Sequence, residues 1–160
     1  MNAAELEALI PQILENRFSG QYRRAFEENV PELPGGWIVE RDGLVCLVRA
    51  AGTNHPFIWI KIGLAIEIPR SAELAYYVAA GNKKLDVGRA YLDYGEDLAL
   101  VVMDETVFAA SLSWEFEPSL SDLLSRWQTS MSQARNMAAE IFEQFGGRPF
   151  TSDEWMHLAF

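Results

Sequence analysis

The sequence predicts an α+β fold: an antiparallel sheet of about six strands in two meanders, with N-terminal, middle and long C-terminal helices in the order α-βββ-α-βββ-α. Three observations carry that expectation. Apolar residues recur at helical spacing near both ends of the chain, and from Trp37 the apolar period changes to two. Connections of only a few residues within each run of strands leave antiparallel pairing as the available geometry.

Taken in order, Asn2 and Glu5 have the spacing of a capping box, and Leu6, Leu9, Ile10, Ile13 and Leu14 then trace one helical face. Pro11 removes a backbone donor inside that helix, so a kink or a late start is expected. Gly20 breaks it, and QYRRAFEEN reads as a further short helical piece before VPELPGG ends helical structure. WIVE and LVCLVR, joined through RDG, read as a hairpin, because Asp42-Gly43 readily supplies the positive φ angles of a type I′ turn.

In FIWIKIGLAIEI the even positions from Ile58 to Ile68 are all aliphatic and the odd ones mixed, which puts Ile60, Ile62 and Ile66 in the core. After Pro69 and Ser71, AELAYYVAAGN is a short helix whose Gly81 and Asn82 suit a left-handed C-terminal cap. Strands follow at about Gly88 to Tyr94, Leu98 to Met103 and Val107 to Trp114, with GED and DET as the hairpin turns. Beyond Pro118 and a serine cap, the stripe Leu120, Leu123, Leu124, Trp127, Met131, Ala134, Ala138, Ile141, Phe142 and Phe145 marks the longest helix, stopped by Gly146-Gly147. Residues 1–147 form one domain in this reading, and 148–160 an aromatic tail or short helix.

The chain of 160 residues, 49% hydrophobic and 22% charged, has the composition of a folded globular domain. Its formal net charge of −10 repels phosphate backbones and anionic lipid surfaces, so neither nucleic acid nor membrane insertion is expected. Cys46 is the only cysteine, which excludes an internal disulfide and suits a reducing cytoplasm. The acidic N-terminal stretch lacks the pattern of a signal peptide, and no apolar run reaches the roughly 18 residues that span a bilayer.

Motifs that would name a reaction are missing. Gly81 closes a helix and Gly88 opens a strand, with Lys83 and Lys84 between them, which is the reverse of a phosphate loop that opens a helix. Cys46 lies within an apolar strand, where burial makes a thiol inert. His55 and His157 stand at unrelated positions, so no metal site and no cofactor is expected. The carboxylate pairs Glu96-Asp97 and Asp104-Glu105 read as turn residues. The feature that stands out is the mixed face of the first meander, where Val45, Leu47, Phe57 and Trp59 accompany Arg49, Lys61 and Glu67. A helix or the tail covers that face, or a partner does.

The order of elements, the stretch NKKLDVGRAYLDYGEDLALVV, and the long helix ending IFEQFGG together resemble the YbjN family and the wider type III secretion chaperone-like fold. The resemblance implies a non-enzymatic, cofactor-free module that binds segments of a client protein or peptide, commonly as a homodimer. Phe57 and Trp59, with Val45 and Leu47 beneath them, are then the expected contacts. A small acidic immunity or regulatory protein that occludes a toxin or enzyme is the rival expectation.

Overall fold

The computed structural model describes residues 2–17, 22–25, 36–108 and 116–158. Helix α1 (Ala3–Arg17) leads into strands β1 (Tyr22–Ala25), β2 (Gly36–Arg41), β3 (Leu44–Ala51) and β4 (Phe57–Pro69). Helix α2 (Ala72–Gly81) and a 3-10 turn at Asn82–Lys84 then precede β5 (Arg89–Tyr94), β6 (Leu98–Phe108), α3 (Phe116–Phe145) and α4 (Ser152–Leu158). All described strands join one antiparallel sheet in the order β1-β2-β3-β4-β6-β5. The α+β class and the two meanders stand, but the strands divide four and two. The extra strand in the first group is β1, formed by Tyr22–Ala25 where a helical piece was expected, because these residues pair with β2 from Val39 to Gly36.

Local chemistry sets several element boundaries. Asn2 accepts from the Glu5 amide at 2.9 Å and Glu5 accepts from the Asn2 amide at 2.7 Å, completing the capping box of α1. Pro11 lies within that helix. Asp42 and Gly43 have φ of 52° and 78°, as a type I′ turn requires. Ser71 Oγ accepts from the Leu74 amide at 3.0 Å to start α2.

At the other end of α2, Gly81 and Asn82 are right-handed, so no left-handed cap forms. A Cβ on Gly81 would stand 2.8 Å from Met137 Cε of α3, the far end of a flexible side chain. Asn82 instead serves the sheet: its side chain donates to the Ala90 carbonyl at 2.8 Å and accepts from the Ala90 amide at 2.7 Å. The lysine-bearing stretch is thus a helix-to-strand connector.

Two expectations about the second meander give way. Asp104-Glu105-Thr106 is no turn but the middle of β6, which pairs with β4 through Lys61↔Asp104 and Ile60↔Glu105. Adjacent strand residues face opposite sides of a sheet, so the two carboxylates are separated, and Glu105 is buried against Arg126 of α3 at 3.1 Å. Val107 and Phe108, expected to open a third strand running to Trp114, continue β6 instead, and residues 109–115 lie outside the described residues. Helix α3 begins at Phe116, ahead of Pro118.

One sheet face carries the main core. Ile58, Ile60, Ile62 and Leu64 of β4 are fully buried there with Leu6, Ile10 and Ile13 of α1, Leu74 and Val78 of α2, and Leu123, Trp127, Ala134 and Ile141 of α3. Ile66 does not join them. The β4–β6 register shifts between Gly63 and Ala65 and again between Ala65 and Ile68, and Glu67 takes a positive φ of 58°. Each bulge inserts an unpaired β4 residue, so Ile66 swings, half-buried, to the opposite face.

Candidate protein-binding face

That opposite face divides into two halves, one of them covered by the chain after α3. The covered half is a second apolar cluster of Ile38, Val45, Leu47, Val102, Phe150 and Trp155. Strand alternation aims Ile38, Leu47, Val45 and Val102 at one side of β2, β3 and β6, and the chain after α3 lays Phe150 and Trp155 across them. Gly63 makes room at the centre: a Cβ there would stand 2.6 Å from Phe150 Cδ2. The Phe150 and Trp155 rings meet edge to face at 5.0 Å.

Arg148 fastens this tail. Its guanidinium donates to both Glu67 oxygens at 2.8 and 2.7 Å and to both Glu154 oxygens at 2.9 and 2.6 Å. A short antiparallel bridge joins the backbones of Ile66 and Arg148, with N···O distances of 2.9 and 3.0 Å. Glu154 also accepts from the Thr151 amide and hydroxyl at 2.9 and 3.0 Å, which caps α4. Arg148, with help from Thr151, holds the Glu154 carboxyl down to about 2, and Arg148 likewise holds Glu67 below the usual carboxylate range. Gly147, at φ 87°, lies so close to β4 that a Cβ would meet the Ile66 carbonyl at 2.9 Å.

The other half of the face is aromatic and charged. Phe57, Trp59, Lys61, Thr106 and Phe108 share it by register, and Phe57 and Phe108 are direct cross-strand partners with ring centroids 5.8 Å apart. Phe108 is 50% exposed, and Phe57 and Trp59 are half-buried. The Arg49 guanidinium lies 4.5 Å from the Trp59 ring. Lys61 Nζ stands 5.2 Å from the Trp59 ring and 5.9 Å from the rings of Tyr91 and Trp155, so it links the two halves. Asp104 lies opposite Lys61 and accepts from the Tyr91 hydroxyl at 3.5 Å. Burial pushes the Asp104 carboxyl up against the pull of Lys61, and burial draws the Lys61 ammonium down.

Of the four residues expected to meet a partner, Val45 and Leu47 are therefore beneath the tail, while Phe57 and Trp59 lie outside the apolar cluster that the tail closes. The Arg148 clasp and the lysine bridge were not foreseen. Two signals for them were readable: TSDE has capping-box spacing, and a glycine inside a strand marks a close approach.

Cys46 is fully buried and burial pushes its thiol up, away from the reactive thiolate. No cluster of three or more metal-ligating side chains occurs among the described residues, and none of the described helices is long and apolar enough to cross a membrane.

No protein-family model matches the sequence, and no curated protein matches it. Among solved structures, the chain is similar to the crystal structure of "YbjN, a putative transcription regulator from E. coli", with 17% identity and a TM-score of 0.56. The likeness covers 86% of this chain and 93% of that one, and with it the chain has a YbjN-like fold.

Proposed function

We propose that the chain is a non-enzymatic, chaperone-like module of the cytoplasm that holds a segment of a client protein against the aromatic half of its second sheet face, acting as a homodimer. The observation that carries this reading is the grouping of Phe57, Trp59 and Phe108 at one end of a face whose other end is already closed by the tail. Aromatic rings beside an arginine supply the contacts that dominate protein interfaces. A two-fold dimer would present the patch twice. The single buried thiol suits a reducing compartment.

Trp59→Asp tests the proposal. The residue projects from the face opposite the main core, so the variant is expected to keep its far-UV circular dichroism and lose about 1–2 kcal/mol of stability. Light scattering after size exclusion is expected to show a weaker dimer, and pull-down from cell lysate a loss of client. A folded, monomeric parent protein that captures nothing would remove this reading; tight inhibition of a single enzyme or toxin would replace it by the occlusion role.

A further inference from the structure

The tail over the covered half shows what kind of segment this face accepts. Its side chains form a short pattern: Arg148 in the Glu67 carboxylate, Phe150 in the notch above Gly63, and Trp155, 1% exposed, on Val45, Leu47 and Val102. Helix α4 has only seven residues, too few to persist in water alone, so its order depends on docking. Docking is also imperfect. The Trp155 indole N–H is buried without a hydrogen bond among the described residues, and an unmet buried donor weakens the contact that buries it. Lys61 Nζ stands between a ring of each half, 5.2 Å from Trp59 and 5.9 Å from Trp155, so a segment lying across Phe57 and Trp59 would approach the tail.

We propose that Arg148–Leu158 is an intramolecular competitor for the protein-binding face, displaced by a partner segment of the same chemistry: an arginine, an aromatic residue two positions on, and a tryptophan five positions beyond that. The inference rests on the protein-binding reading of this face. Among the described residues the bonds that hold the tail fall within 148–155, and the glycine pair ahead of it carries left-handed backbone at φ 77° and 87°. Gly146 has open space around it, so the chain can pivot there without unpacking α3. The net charge of −10 and the Glu67 acceptor favour a basic segment over an acidic one.

The probe is a fluorescently labelled peptide of residues 146–160, titrated onto the 160-residue chain. The tethered tail outcompetes it in the parent protein, because tethering supplies a high effective concentration. Arg148→Ala in the chain weakens the resident tail and leaves the face intact, so the peptide is expected to bind at least about tenfold more tightly. A peptide that itself carries Arg148→Ala should lose that gain. Hydrogen exchange gives a second readout: Thr151–Leu158 should exchange by local opening and faster in the variant, with β4 unchanged apart from Ile66, whose amide bonds the Arg148 carbonyl. Equal peptide affinities for parent and folded variant, or tail exchange only through global unfolding, overturns the competitor. Should that happen while Trp59→Asp still abolishes client capture, the interaction reading stands without it.

Discussion

Ile62→Ala is expected to cost about 2–5 kcal/mol in urea denaturation, the range for truncating a fully buried aliphatic side chain. Ile62 has no exposed surface and sits in the central strand, paired with Cys46 on one side and Met103 on the other. A cavity there is walled by strands on both flanks and by the helices above, so collapse to fill it is restricted. Ile66→Ala provides the contrast, with an expected loss of about 1–2 kcal/mol for a half-buried side chain on the other face. Equal losses at the two positions would mean that the alternation of β4 runs on unbroken and that the bulges are misplaced.

Gly63→Val is expected to lift the tail off the sheet. The backbone conformation there tolerates a β-branched residue, but the first added carbon would stand 2.6 Å from the Phe150 ring, and valine adds two more. Eviction re-exposes Phe150 and Trp155, each worth about 1.5–3 kcal/mol of burial, partly offset by the freedom the tail regains. A net loss of roughly 2–4 kcal/mol follows from those terms. Hydrogen exchange of Thr151–Leu158 should rise to that of an unstructured peptide, while circular dichroism stays close to the parent's. Unchanged tail protection would show that Phe150 does not depend on the space above Gly63.

Much of this fold was legible because its signals are local. The capping box at Asn2, the type I′ turn at Asp42-Gly43 and the stripe from Leu123 to Ile141 each involve residues a few positions apart, and each formed as expected. What was misread depends on distant partners. Tyr22–Ala25 has no alternation of its own and becomes a strand by pairing with β2. Asp104-Glu105 looks like a turn until Lys61 and Arg126 supply a charge on either side of the sheet. The slip that turns Ile66 over arises where the tail backbone pairs with β4, a contact between positions that sequence spacing does not connect. For the candidate face, residue types were sufficient to nominate Phe57 and Trp59. They could not say which half the tail would take, since that was decided by Arg148 reaching Glu67.

The strand order has a consequence for how the chain folds. Within the described sheet, β1 with β2, β2 with β3, β3 with β4, and β5 with β6 are neighbours in sequence, whereas β4 meets β6 only after α2 and β5 have been passed. The units β2-β3-β4 and β5-β6 can therefore assemble quickly, each from short loops, and the slow event is closing the seam between them, where loop entropy is lost before contacts compensate. Residues of the seam should already be engaged in the transition state, and the tail, which needs β3, β4 and β6 already aligned, should dock afterwards. In chevron kinetics, Met103→Ala is expected to slow folding, whereas Phe150→Ala should mainly speed unfolding. Equal retardation of folding by both would place tail docking inside the nucleus.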